Sequence, residues 1–376
     1  MTPIKTKQDH SWLAAIAIAI LGAALLVRIP LLDGFAHEHG WATAHFATMA
    51  RSFYEHGVFA LGGVPVQNSG ILLDQTDNYL HWPPLFPILL AWLARPFGGV
   101  TPGFMHAVST LLTLAQAAVI GFWLGYRVSR TAGYTAAIVY LCLPVVAMTS
   151  HFGLHIHLCF LLVLMALMCL DFARCEEQHR AKYVVCGAVF YFLGCLTSWE
   201  PLLMGPGLVL HWAISRRRSD FVAVVAFGLA GVAALGLIGA TYYARDPALF
   251  DKLASAFRFR AALSGTEVFD QTDMYALVNI FHTQTTLAYV DWQAFNLFRL
   301  TLLSPVGVLL LGAMVGALLV LVGKAVVPSI ASSPYENDIL QSPAWTLVPQ
   351  LVMALGWLLV LPQHFAHHNY QTLLFA

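Results

Sequence analysis

The stretch 33-DGFAHEHGWATAHFATMARSFYEHGVFALGGVPVQNSGILLDQTDNYLHWPPLFPILLAWLARPFG-98 stands between one apolar run and a long series of others. It holds five carboxylates (Asp33, Glu38, Glu55, Asp74, Asp77) and five histidines (His37, His39, His45, His56, His81). The rest of the chain reads as membrane scaffold. Of the 376 residues, 59% are hydrophobic and 10% charged, where a soluble domain carries roughly a quarter charged residues. The apolar runs recur at the ~20-residue length that crosses a bilayer. An all-α polytopic membrane protein is therefore expected, as a single transmembrane domain over 1–376. The net charge is zero, which gives no electrostatic case for nucleic acid, and the short polar segments hold no glycine-rich phosphate loop.

Two helices are expected inside the quoted stretch, and neither should cross the membrane. From Trp41 to His56 the apolar residues Phe46, Met49, Ala50, Phe53 and Tyr54 fall on one face, the pattern of an amphipathic helix lying on the membrane surface. Gly57 fits its C-terminal stop. Asp33, Glu38 and His39 precede or open it, so its free N–H groups would face an anion. The apolar run Pro83 to Phe97 spans 15 residues, which reach only ~22 Å against a hydrocarbon core of ~30 Å. It is expected as an interfacial helix.

The charges that follow test that choice. The first apolar run, about 12–32, continues to Arg28-Ile29-Pro30 without a small-residue cleavage site, so it reads as a retained span. Later spans are expected at about 104–126, 131–149, 154–173, 183–198, 200–215, 221–243, 298–323 and 344–361. With the N-terminus inside, the short inner segments hold 11 basic residues, among them Arg127, Arg130, Arg174 and Arg216-Arg217-Arg218, and the longer outer segments hold eight. That is the positive-inside bias; a crossing at Pro83–Phe97 would put the three consecutive arginines outside. About nine spans result, with outer loops 33–103 and 244–297 forming a cap. A new apolar run begins just before Ala376, so further spans are expected beyond it.

The six cysteines, Cys142, Cys159, Cys169, Cys175, Cys186 and Cys195, lie in or beside apolar spans. They form no CxxC pair and read as small buried hydrophobes.

An acidic loop follows the first span. Then come Ala50-Arg51 with Gly57 after them, and Tyr79-Leu80-His81-Trp82-Pro83-Pro84 leading into an apolar helix that ends at Phe97-Gly98. That order resembles the C-type (GT-C) integral membrane glycosyltransferases, in particular the bacterial protein O-mannosyltransferase-like group that includes the lipid A aminoarabinose transferases. Arg127 to Arg130, the spans around Trp199-Glu200 and the late segment His367-His368-Asn369-Tyr370 extend the resemblance over nearly the whole chain. It implies transfer of a sugar from a polyprenyl-phosphate carrier to a hydroxyl of a lipid, glycan or protein at the outer, periplasmic face of the inner membrane. It also implies an acid in the first outer loop as general base, since the hard steps are deprotonating the acceptor and stabilising the departing phosphate.

In the resembling group the acid lies about nine residues before the Arg of the pair; here that position is Ala42, and Glu38 is the nearest carboxylate. Glu38 is therefore the first candidate base, followed by Asp33 and Asp77. Candidate substrate contacts are His45, Arg51, Asp74 and His81 in the first loop. Arg258 and Arg260 in the second could clamp phosphate with their guanidinium forks. Each has a plain reading beside it: a solvated loop acid, an Asx turn at Asp74 and Asp77, an interfacial histidine, or an arginine snorkelling to the interface. Glu200, at a membrane boundary, and His151, His155 and His157, at the outer start of a span, are further polar groups of the carrier groove or of helix ends. His37-Glu38-His39 with His81 is the combination that offers a divalent metal ligands, but adjacent residues point apart and no second pair has metal spacing. No cofactor is expected.

Two other functions stay open. A transporter or flippase would place charge or broken helices near the midplane and show repeats, and neither is evident. A non-catalytic glycan-assembly subunit on the same fold is kept open by Ala42.

Overall fold

The computed structural model describes residues 11–29, 40–67, 78–79, 82–245, 247–248, 250–251, 254 and 346–360. Apart from one isolated antiparallel bridge between Val66 and Asn78, the described residues form helices and their connections. In chain order these are α1 (Ser11–Val27), α2 (Gly40–His56), α3 (Leu85–Leu93), α4 (Pro102–Arg127), α5 (Arg130–Cys142), α6 (Pro144–Thr149), α7 (His155–Cys175), α8 (Arg180–Thr197), α9 (Met204–Ser215), α10 (Arg218–Arg245) and α11 (Val348–Val360). Among the described residues, four segments are long and apolar enough to cross a bilayer: Pro102–Arg127, His155–Cys175, Glu177–Thr197 and Arg218–Arg245. The protein is an all-α polytopic membrane protein. The expected span 298–323 and the second outer loop beyond residue 254 lie outside the described residues.

Local chemistry sets the helix ends. Thr101 caps α4 by accepting from the Phe104 N–H at 3.2 Å, with Pro102 in the first turn. Ser129 caps α5 in the same way, from Ala132 N–H at 3.1 Å. α2 stops at Gly57, whose φ of 87° suits glycine. α3 runs nine residues and is followed by a 3₁₀ turn, Arg95–Phe97, so it is too short to cross, as its length required. The run expected as one span at 131–149 is interrupted: Leu143, before Pro144, is extended, and a short α6 follows. The span at 200–215 opens as a 3₁₀ turn, Glu200–Leu203, before α9.

α7 is the centre of the bundle, with 78% of its apolar window buried against 28–33% in the other three long segments. α4 and α5 cross closely through Gly121 and Gly125, an interface of small residues that lets helices approach in a membrane. A Cβ on Gly133 would collide with the Gly121 carbonyl and stand 2.6 Å from the Gly125 nitrogen.

One end of the bundle carries Arg127, Arg130, Arg174, Arg180, Lys182 and Arg216-Arg217-Arg218. Here the buried Asp171 of α7 ties three helices together. It accepts from Trp123 Nε1 at 2.8 Å and Arg127 Nε at 2.6 Å on α4, and from Thr346 Oγ1 at 3.2 Å just before α11. Asp220 at the start of α10 faces Arg174 Nε at 3.3 Å and His211 Nε2 at 3.6 Å. Buried carboxylates need such partners.

Candidate active site

Among the described residues, a second polar concentration lies at the other end, built around the break between α6 and α7. Between Thr149 and His155 the chain leaves the helix inside the bundle, where each uncapped carbonyl would be costly. Four successive carbonyls are met by side chains. Thr149 O accepts from His157 Nε2 at 2.7 Å, Ser150 O from Thr110 Oγ1 at 3.1 Å, His151 O from His106 Nδ1 at 2.6 Å, and Phe152 O from Ser109 Oγ. Gln116 Nε2 donates to His157 O at 2.5 Å, and the Tyr140 hydroxyl donates to Gln116 Oε1. His106, Ser109, Thr110 and Gln116 are all on α4, so one helix supplies most of the lining that makes the break tolerable.

α2 lies over this end. Phe46, Met49, Ala50 and Phe53 are buried, while Arg51 and Glu55 are exposed, which is the amphipathic face expected from their spacing. Thr43 Oγ1 accepts from Gly153 N–H at 3.1 Å. The contact is close enough that a Cβ on Gly153 would stand 2.8 Å from Thr43 Cγ2 and 2.7 Å from Met105 Cε.

Beneath α2 lies an imidazole beside a carboxylate. His155, the first residue of α7, and Glu200, which follows α8, are both fully buried. His155 Nε2 stands 4.0 Å from Glu200 Oε1, beyond hydrogen-bonding range, and neither ring nitrogen of His155 has a hydrogen-bond partner. The Ser198 hydroxyl donates to Glu200 Oε2. The His155 ring is held between Phe46 of α2, centroids 4.9 Å apart, and Trp82, 4.1 Å apart. Trp82 is fixed in turn by the Tyr242 hydroxyl of α10, which donates to its carbonyl at 3.1 Å. His45 meets Tyr79 edge-to-face at 4.3 Å, and burial lowers its pKa to about 4, so at neutral pH it is an uncharged ring with one donor and one acceptor.

Of the nine candidate catalytic and substrate-contact residues two are described, as are Glu200, His151, His155 and His157. His45 sits at the contact between α2 and Tyr79, and Arg51 donates to the Val100 carbonyl at 3.2 Å from the C-terminal half of α2. Glu38, Asp33, Asp74, Asp77, His81, Arg258 and Arg260 lie outside the described residues. Glu38 precedes α2 by two positions, and His81 adjoins Trp82 in the sequence. The pairing of His155 with Glu200 was not readable: the two are 45 positions apart, and nothing local links them. Their shared signal is that each opens or follows a span at the same end.

No protein-family model matches the chain, and a search of curated proteins finds no match. A solved structure is similar in shape. It is that of ArnT from Cupriavidus metallidurans in the apo state, with a TM-score of 0.47 and 14% identity, over 93% of this chain and 63% of that one. The chain spans less than two thirds of ArnT's length. At that identity no residue is carried across from it.

Proposed function

We propose that the protein is an integral membrane glycosyltransferase that moves a sugar from a polyprenyl-phosphate carrier to a hydroxyl acceptor at the outer face. The observation that carries this reading is the roof of the outer cluster. An amphipathic helix lies across the ends of α4 and α7 and covers a buried carboxylate–imidazole pair. The acid-bearing segments 33–38 and 74–77 join the chain next to α2 and next to Tyr79. That arrangement suits chemistry at an interface. Glu38 takes the acceptor hydroxyl's proton, the acceptor oxygen bonds to the anomeric carbon, and the bonding pair leaves with the phosphate of the carrier. The phosphate is already a fair leaving group, so the reaction calls for no cofactor. Arg258, Arg260 and the N-terminal end of α2 meet its charge. His45, Arg51, Asp74 and His81 contact the substrates, with Asp33 and Asp77 supporting the base. The donor sugar and the acceptor are a lipid-linked pair drawn from the membrane.

The break between α6 and α7 is the feature that would favour a transporter. The carbonyls of Thr149, Ser150, His151 and Phe152 each already accept a side-chain hydrogen bond, so the break is tied into the bundle wall.

The test is transfer from a radiolabelled polyprenyl-phosphate sugar in membranes carrying the full chain, with Glu38→Gln at equal expression. Loss of transfer in the variant supports the reading. Retained transfer removes Glu38 as the base, and no transfer from any carrier removes the activity.

A further inference from the structure

A groove of about 940 Å³ lies between α1, α4 and α5, at the flank of the bundle away from the outer cluster. Its floor is made of small residues, including Ala19 and Gly22 of α1 and Ala118 and Gly121 of α4. Ala19 and Ala118 are exposed, so the groove opens on the side that faces the bilayer. At the basic end of the bundle its rim carries Tyr126, Arg130 and Tyr134.

We infer that this groove holds one acyl chain of an anionic phospholipid, with the lipid phosphate at Arg130. Two arguments lead there. An open apolar groove in a membrane wall forfeits dispersion contacts unless a chain fills it, and the bulk medium at that depth consists of acyl chains. The headgroup is then set by charge. The rim lies at the end that carries Arg127, Arg130, Arg174, Arg180, Lys182 and Arg216-Arg217-Arg218, where basic pockets between spans select anionic lipids. Glu176, the carboxylate beside Tyr126, takes the Tyr126 and Tyr183 hydroxyls at 2.6 and 3.1 Å, so its oxygens are turned to those rings. The site is separate from the sugar-transfer chemistry, which belongs to the opposite end.

The experiment is native mass spectrometry of the full chain in detergent, titrated with phosphatidylglycerol or phosphatidylcholine of equal chain length. Wild type retains phosphatidylglycerol preferentially. Arg130→Gln weakens its binding about fivefold, Ala118→Phe weakens both lipids by filling the groove, and Arg218→Gln, at the same end but off the rim, changes neither. Both test positions are exposed, and unchanged melting temperatures confirm that the variants fold. Equal retention of the two lipids, or phosphatidylglycerol binding untouched by Arg130→Gln and Ala118→Phe, overturns the inference. So does a dimer that Ala118→Phe dissociates with no lipid retained, which assigns the groove to a second copy.

Discussion

Asp171 is the point at which three helices depend on one carboxylate, and its removal can be predicted in detail. Its side chain is 1% exposed and that of Arg127 is 17% exposed. It accepts from Arg127 Nε at 2.6 Å, Trp123 Nε1 at 2.8 Å and Thr346 Oγ1 at 3.2 Å. Asp171→Leu strands the guanidinium in a largely desolvated position, and Arg127→Met strands the carboxylate. Breaking a buried pair from one side costs about 3–5 kcal/mol. In the double variant the stranded charge disappears, and what remains is chiefly the orphaned indole N–H of Trp123, about 1–3 kcal/mol. The double variant should therefore be no less stable than the worse single, several kcal/mol better than the sum of the two. The assay is equilibrium unfolding of the four purified full-length proteins in one detergent, read as a double-mutant cycle. Additive losses, within about 0.5 kcal/mol, would refute the claim that Asp171 and Arg127 act as one buried unit.

Two further expectations rest on single contacts. Burial holds the folded pKa of His45 at about 4, below the ordinary 6.5 of a histidine, so the unfolded chain binds the proton first as pH falls. The contribution is full above pH 6.5 and is lost on acidification toward pH 4, at up to about 1.4 kcal/mol per pH unit and less in proportion to the ring's residual exposure. Melting curves from pH 7.5 to 4.5 should show that loss flattened in His45→Phe, and an unchanged slope counts against it. Gly133→Ala forces a methyl into the Gly121 backbone, which cannot yield as a side chain can, so a loss of at least about 1–3 kcal/mol is expected. Gly236→Ala, with open space at its Cβ, should melt as wild type does, and equal behaviour of the two variants would show that the α4–α5 crossing is not tight.

The spans were legible because bilayer thickness is a length, and a length can be read from a run of apolar residues. α4, α7, α8 and α10 begin and end within a few residues of their expected limits, and the short α3 was recognisable as non-crossing for the same reason. α2 was legible from a different signal, the one-sided spacing of Phe46, Met49, Ala50 and Phe53. What hydropathy could not show was the interruption at Pro144, since Leu143 and Val145 are as apolar as a continuous span would be. Asp171 and Asp220 lie near the ends of their helices, and their partners Arg127 and Arg174 are 44 and 46 positions away, a distance that no helical period reports.

The polar stripe on α4 shows what signal was present for the site. His106, Ser109, Thr110, Thr113 and Gln116 repeat at helical spacing in a segment hydrophobic enough to cross the membrane. On a soluble helix such a stripe faces water. In a bilayer it has no water to face, so it must meet polar groups of another element, and those can only be side chains or backbone that has left its helix. Here they are the carbonyls of Ser150, His151 and Phe152, together with that of His157. Such a stripe calls for polar backbone on a neighbouring element, and here it is met between Thr149 and His155. The same reasoning separates the two ends of the molecule. At the basic end, Asp171 meets a guanidinium, an indole and a hydroxyl in a set that holds helices together. At the other end, His155 keeps two ring nitrogens without hydrogen bonds beside a buried Glu200. A phenylalanine would fill the space between Phe46 and Trp82 without that cost, which is why this cluster is a place to look for chemistry.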